Sequence, residues 1–133
     1  MTTAVRYSAE VVRRCQQMAR AGGWPEADPQ VGTGVVGSLE AGTLVRLQVR
    51  IDADVVADAR FKAFGCSAAI ASASLAADLV AGRPCAAALT LDAAAVADAL
   101  DLPEDKRAMA AHAVAAVRQA IGDWERRNVA ARG

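Results

Sequence analysis

The stretch FKAFGCSAAIASASLAADLVAG, at residues 61–82, decides the fold. Its first residues alternate as a strand does, Gly65 turns the chain, and Cys66 opens an Ala/Ser-rich helix of about four turns that Gly82 closes. A helix start offers unpaired N–H groups and a partial positive charge, which favour the thiolate form that binds metal or attacks sulfur. Cys66 is therefore a candidate reactive residue, although a free cysteine more often fills a gap in the core.

The composition excludes several classes of partner. The chain has 133 residues, with 15 Lys+Arg balancing 15 Asp+Glu, and only 4% of its residues are aromatic. A zero net charge argues against nucleic acid or an anionic membrane as the main partner. The longest uncharged run, 63–77, is too short to span a bilayer, and the N-terminal residues resemble no signal peptide, so we expect a cytoplasmic protein. Three irregularly spaced cysteines do not form a disulfide framework.

Alternating residues predict a small antiparallel sheet. The stretch TLVRLQVRI at 43–51 predicts a strand with one buried and one solvated face. A turn at 52–54 leads into a second alternating strand at 55–64, so the two form an antiparallel hairpin. Residues 35–39 add a third strand. The predicted inward-facing side chains are Val45, Leu47, Val49 and Ile51 in the first strand, and Ala57, Ala59, Phe61 and Ala63 in the second.

Helices are predicted before the sheet and throughout the second half of the chain. A helix over 7–21 has Ser8 as its N-cap and would direct Cys15 into the core. Asp92 caps a short helix that ends at Leu100, and a longer helix follows from about 103 towards Trp124. Strands early and helices late indicate a single α+β domain, with helices packed on one face of a three-stranded antiparallel sheet. We expect an ordered core over 7–124 and a charged, fraying tail at 125–133.

A glycine motif precedes the first long strand. Gly32, Gly34 and Gly37 spell G-x-G-x-x-G, and Asp52 follows twenty residues after Gly32. A dinucleotide site needs a strand before this motif and a helix after it. Here a proline-containing loop precedes the motif and a strand follows, so we interpret the glycines as allowing a tight, flexible approach of β backbone.

The order of these segments resembles a known family. YSAEVV, DPQVGTGVVG, LVRLQVRID, FKAFGCSAAIASASLAADLVAGR, LTLDAAAVADAL and LPEDK are similar, in order and spacing, to the iron–sulfur cluster assembly scaffolds of the IscU type and to the N-terminal domain of NifU. The resemblance covers about residues 7–124. It implies the same α+β fold and a site where a two-iron, two-sulfur cluster is built on three cysteines, with an aspartate and a histidine nearby.

The chain departs from that family at most of the ligand positions. The resemblance aligns the first cysteine and the aspartate of the scaffolds with Ala41 and Thr43, and the second cysteine with Cys66. It aligns the histidine and the third cysteine with Ala108 and Met109. One cluster ligand therefore remains, and the resemblance implies that a cluster or iron would not be held by one chain alone.

Three other residues are candidate replacement ligands. Cys85 lies beyond the far end of the helix that Cys66 begins, about 25 Å away at about 1.5 Å per residue, so the two cannot share a cluster within one chain. Cys15 aligns with a position that is not a ligand. His112 follows Met109 by one helical turn and is a weaker ligand candidate, because a lone histidine there is more often packing or surface. The segment that the family offers to its chaperone, LPPVK, is LPEDK here, from Leu102 to Lys106, so two of its apolar positions are acidic.

Three functional hypotheses remain open. In the first, the chain takes part in iron–sulfur cluster assembly through Cys66, accepting sulfur as a persulfide from a cysteine desulfurase or supplying one ligand of a cluster shared by a homodimer or with a partner. In the second, it is an adaptor that docks the desulfurase or other assembly proteins without metal. A zinc-holding carrier is the third, and it lacks the three or four ligands that zinc requires. A single histidine with no partnered nucleophile predicts no hydrolytic enzyme.

Overall fold

The computed structural model describes residues 6–132, and a three-stranded antiparallel sheet lies at its centre. Its strands are β1 (Val31–Ser38), β2 (Thr43–Asp52) and β3 (Val55–Phe64), in that order across the sheet. The alternation in β2 correctly predicts its buried side chains, which are Val45, Leu47, Val49 and Ile51. β1 begins four residues earlier than predicted, so the glycine motif lies within a strand.

The β2–β3 hairpin contains an irregularity that the alternation does not reveal. Ala53 and Asp54 both have positive φ angles and form its tight turn. Next to the turn the register shifts, because Ile51 faces Val56 while the preceding residue of β2 faces Asp58. Ala57 is left in the bulge and is exposed, so the prediction that it faces the core is wrong. Val56 is buried in its place.

The second face of β2 is covered, which corrects the prediction of a solvated face. Gln48 is only 1% exposed on this face. Its side chain accepts a hydrogen bond from the Trp24 N–H and donates to the Trp24 carbonyl and to the Thr33 hydroxyl. The Arg60 guanidinium lies 4.3 Å from the centre of the Trp24 ring. The loop before β1 therefore folds over a polar face that the sequence pattern assigns to solvent.

Helices pack on the opposite face and complete the predicted α+β fold. They are α1 (Ala9–Gln17), α2 (Ser67–Val80), α3 (Cys85–Ala88), α4 (Ala93–Ala99) and α5 (Ala108–Arg132), with a 3-10 turn at Glu104–Lys106. Helices α2 and α5 bury the apolar face of the sheet, and α1 packs on α2. None of the helices within residues 6–132 is long and apolar enough to cross a membrane.

Two helix starts were predicted correctly, and one helix end was not. Ser8 accepts a hydrogen bond from the Val11 N–H, and Asp92 caps α4. Helix α1 ends at Gln17, short of the predicted end near residue 21, because Met18 adopts a left-handed conformation with φ of 50°.

Helix α5 lies directly on strand β1 because β1 contains glycine. A Cβ atom on Gly32 would collide with the carbonyl oxygen of Ala120, and one on Gly34 with that of Ala116. The predicted role of these glycines in a close approach of backbone is confirmed. Because β1 continues by a turn into β2, the strand–helix context that a dinucleotide site needs does not occur at this motif.

Helix α5 also extends beyond its predicted end near Trp124 and continues to Arg132. Arg127 donates hydrogen bonds to the carbonyl oxygens of Val31 and Asp28. The side chains of Asp123 and Gln119 accept the N–H groups of Thr33 and Val35 in β1. These contacts with β1 and the preceding loop hold the C-terminal part of α5 in place, although its charged sequence predicts a fraying tail.

The outer edge of β3 is also occupied. The Phe61 N–H donates to the carbonyl oxygen of Arg20, and its own carbonyl accepts the N–H of Gly22. Nearer the start of β3, Val56 exchanges hydrogen bonds with Gly82 and Arg83. The connections after α1 and after α2 thus run along this edge.

Ion pairs fix α1 against α2. The Arg14 side chain is almost fully buried and contacts Glu10, Ser74 and Asp78, the last at 2.8 Å. Burial alone would raise the pKa of Asp78, but hydrogen bonds from Arg14 and Arg20 outweigh it, and the pKa lies below its usual value. These contacts set the position of α1 and of the residues that precede it.

Candidate functional site

Cys66 lies where the sheet meets helix α2. It is the N-cap residue of α2, and its carbonyl oxygen accepts the N–H groups of Ala69 and Ile70. Gly65, with φ of 141°, makes the turn from β3 that brings Cys66 to the start of the helix. The side chain is half-buried, so the thiol is accessible while part of it packs against neighbours.

Cys66 packs on a buried apolar cluster that residues from other segments also contact. Tyr7, Cys15 and Met109 pack with it on one cluster of buried apolar side chains. Burial raises the pKa of the Tyr7 hydroxyl, and the adjacent Cys66, which also shares a hydrogen bond with it, raises that pKa further. The ammonium group of Lys106 lies close enough to oppose this shift. Cys66 thus has the Tyr7 phenol next to it, and the Cys15 thiol of α1 contacts the residue that follows it.

The first pair of positions that the resemblance aligns with cluster ligands lies at the β1–β2 connection, with Ala41 in the turn and Thr43 as the first residue of β2. Thr43 approaches the site closely, since a Cβ atom added to Gly65 would lie 3.2 Å from its hydroxyl oxygen. Ala41 is exposed in the turn, and its N–H donates to the hydroxyl of Ser38. The turn is therefore beside Cys66, as the family alignment implies, but its side chains here are a methyl group and a hydroxyl.

The second pair lies at the start of α5. Met109 packs on the same cluster as Cys66, whereas Ala108 is exposed. The Nδ1 atom of His112 lies 2.7 Å from the carbonyl oxygen of Ala108, so one ring nitrogen is engaged by its own helix. Across residues 6–132, the structure contains no group of three His, Cys, Asp or Glu side chains able to hold a metal ion. The site brings the expected segments together without a full ligand set for a cluster.

Cys85 lies in a different setting. It is buried at the start of the short helix α3, and its N–H donates to the carbonyl oxygen of Asp54. Burial raises the pKa of the Cys85 thiol, and the carboxylates of Asp54 and Glu125 raise it further. A thiol held in its neutral form is a poor nucleophile and a poor metal ligand.

The positions of Tyr7 and Cys15 near Cys66 are not evident from the sequence. Tyr7 and Cys15 share the four-residue spacing of one helical face with the fully buried Val11. That spacing directs the side chains towards α2, but it does not specify which end of α2 they reach. The Cys15 thiol lies 3.4 Å from the carbonyl oxygen of Ser67, the residue that follows Cys66.

Comparison with known proteins identifies relatives by sequence. Over 120 residues the chain is 35% identical to a protein of Azotobacter vinelandii named iron–sulfur cluster assembly scaffold protein IscU, covering 90% of this chain and 94% of the relative. It is 34% identical over 129 residues to iron–sulfur cluster assembly protein 1 of Arabidopsis thaliana, covering 96% and 77% of the two chains.

Solved structures share the fold. A scaffold protein for the SUF system of Fervidobacterium islandicum superposes with a TM-score of 0.67 at 18% identity, covering 86% of this chain and 96% of that one. A NifU-like N-terminal protein of Brucella abortus gives a TM-score of 0.64 at 20% identity, covering 90% and 94%. Residues 6–131 match the NifU-like N terminal domain. The fold, the sequence relatives and this match agree with the predicted resemblance, and the chain belongs to the NifU-like N-terminal domain family.

Proposed function

We propose that this protein acts in iron–sulfur cluster assembly as a scaffold-like carrier. It accepts sulfur on Cys66, or supplies Cys66 as one ligand of a cluster. The setting of Cys66 is the main support for this. It is an accessible thiol at the start of a fourteen-residue helix, at the position where related scaffolds carry a cluster ligand. The names of the sequence relatives support the pathway.

Sulfur transfer from a desulfurase persulfide requires only one thiol on the accepting protein. The Cys66 thiolate attacks the terminal sulfur of the persulfide on a cysteine desulfurase. A sulfur–sulfur bond forms at Cys66 while the desulfurase cysteine leaves as a thiolate, so atoms and electrons balance without an added oxidant. The four replaced positions at 41, 43, 108 and 109 do not limit this step. A cluster, as cargo, would need further ligands from a second copy of the chain or from a partner.

The test is anaerobic incubation with a cysteine desulfurase, cysteine and ferrous iron, followed by intact mass and visible absorption. We expect the wild type to show at least a transient gain of one sulfur atom, which is absent in Cys66→Ala and retained in Cys85→Ala. Cys85→Ala is the matched control because it also removes one thiol. Equal sulfur gain in Cys66→Ala and the wild type would overturn the proposal.

The adaptor function remains the second candidate. The replacement of ligands by Ala41, Thr43, Ala108 and Met109 favours a protein that docks assembly partners without holding metal. In that case the desulfurase binds the wild type and Cys66→Ala with equal affinity, and neither protein gains sulfur or colour. Affinity measured by calorimetry, together with the mass experiment, separates the two functions.

A further inference from the structure

A second thiol lies next to the residue proposed to carry sulfur. The Cys15 side chain donates a hydrogen bond of 3.4 Å to the carbonyl oxygen of Ser67, one residue along the chain from Cys66. Both cysteines are half-buried and contact the same apolar cluster. Cys15 therefore lies beside the start of α2, next to the residue that follows Cys66.

The packing of α1 on α2 places Cys15 beside the start of α2. Ala68 and Ala71 are fully buried in the contact and present only methyl groups, so the two helices approach closely. The Arg14–Asp78 ion pair holds Cys15 at this contact. Cys66 is the N-cap residue of α2, so it immediately precedes the residue whose carbonyl oxygen Cys15 contacts.

We propose that Cys15 is a resolving thiol that releases sulfide from a persulfide on Cys66. The Cys15 thiolate attacks the Cys66 Sγ atom, a Cys15–Cys66 disulfide forms, and the terminal sulfur leaves as hydrosulfide. The terminal sulfur gains two electrons, which the two cysteine sulfurs supply as their bond forms. The proton lost by Cys15 ends on the hydrosulfide. A dithiol reductant then restores both cysteines.

This inference rests on the proposed function, because it needs a persulfide on Cys66, and it accounts for the missing ligands. A chain that releases sulfide does not have to hold iron itself. Attack by a neighbouring thiol is also much faster than attack by a thiol from solution, since the reacting groups are already together. The competing interpretation is that Cys15 only fills space beside Ser67.

The experiment loads Cys66 anaerobically with a cysteine desulfurase and limiting cysteine, and then follows intact mass under non-reducing conditions and free sulfide. In the wild type we expect the gained sulfur to be lost and the chain to end two hydrogen atoms lighter, with one sulfide released per chain. In Cys15→Ser the persulfide should persist at least about tenfold longer. Cys15→Ala is a second variant in case serine disturbs the packing, and Cys85→Ser is the matched control that should behave as the wild type.

A second arm separates failure of this inference from failure of the proposed function. An aromatic disulfide reagent, bis(nitrobenzoate) disulfide, labels Cys66 without any desulfurase. If Cys15 resolves Cys66, the wild type releases a second thionitrobenzoate and retains no label at either cysteine, whereas Cys15→Ser keeps the label on Cys66. A wild type that keeps a label or a persulfide as long as Cys15→Ser, or that forms the disulfide only between chains, would overturn the inference. Resolution in this arm without sulfur gain in the first would instead contradict the proposed function.

Discussion

One cysteine lies at the start of α2 and another at the start of α3, and their surroundings differ. Cys66 is the N-cap residue of the fourteen-residue helix α2 and is half-buried. Cys85 begins the four-residue helix α3 and is buried, and burial together with two carboxylates raises the pKa of its thiol. A helix start is therefore not sufficient to make a cysteine reactive, because burial and neighbouring charge decide which form the thiol takes.

The largest expected difference between the two cysteines is in reactivity. We expect iodoacetamide at neutral pH to alkylate Cys66 at least about 100-fold faster than Cys85, because Cys85 must lose both its burial and its neutral form. Peptide mass spectrometry after timed quenching gives both rates from one sample. The unfolded chain in denaturant is the control, where the two rates should become similar. Comparable alkylation rates in the folded protein would show that Cys66 and Cys85 do not differ in reactivity.

A smaller difference is expected in stability. Cys85→Ala should lower the free energy of unfolding by about 1 kcal/mol, because it leaves a gap in the buried cluster beneath the sheet. Cys66→Ala should change it by less than about 0.5 kcal/mol, since the side chain is only half-buried. Urea unfolding followed by circular dichroism measures both. A larger loss in Cys66→Ala would mean that this residue has a structural role at the helix start.

Alkaline pH should reveal the ionisation of Cys85. Because folding raises the pKa of Cys85, its contribution to stability is complete below the pKa of an unfolded thiol, about 8.5, and declines as pH rises towards the folded value. We expect the free energy of unfolding to fall above about pH 8.5 by a fraction of the about 1.4 kcal/mol per pH unit that one proton can contribute.

Two variants show which cysteine causes this decline in the free energy of unfolding. Cys66→Ala should keep the decline of the wild type, and Cys85→Ala should flatten it. Measurements below about pH 10 avoid the contribution of Tyr7, whose pKa is also raised. An unchanged slope in Cys85→Ala would show that another group causes the decline.

The smallest expected effect isolates the carboxylates near Cys85. Asp54→Asn or Glu125→Gln should raise the alkylation rate of Cys85 by only about twofold to threefold, because burial is the first cause of its raised pKa and exposed charges are screened. The rate at Cys66 is the internal control and should not change. An increase at Cys85 by more than an order of magnitude would instead identify charge as the main cause.

The sequence predicts the apolar face of the sheet well and its polar face poorly. Alternation in β2 correctly assigns Val45 and Val49 to the core, because a strand with one buried face must alternate. The exposure of Ala57 depends on a bulge beside a tight turn, which alternation does not encode. The burial of Gln48 depends on the Trp24 loop, whose path is set by tertiary hydrogen bonds.

The candidate site is predictable at Cys66 and not around it. A glycine, a cysteine and an Ala/Ser-rich run indicate a thiol at a helix start from local sequence alone. The proximity of Tyr7 and Cys15 depends on how α1 crosses α2, which the Arg14–Asp78 pair helps to fix. Such long-range contacts have no local signal in a single sequence.

The hydrogen bonds along the two outer strands have a consequence for how this protein meets others. Side chains of α5 accept hydrogen bonds from N–H groups of β1, and the chain segments around Ala21 and Gly82 form backbone hydrogen bonds with β3. A sheet whose margins are occupied in this way resists the strand addition by which open sheets capture extended peptides or aggregate. Recognition of this protein should therefore depend on side chains and turns, such as those beside Cys66, and not on backbone pairing.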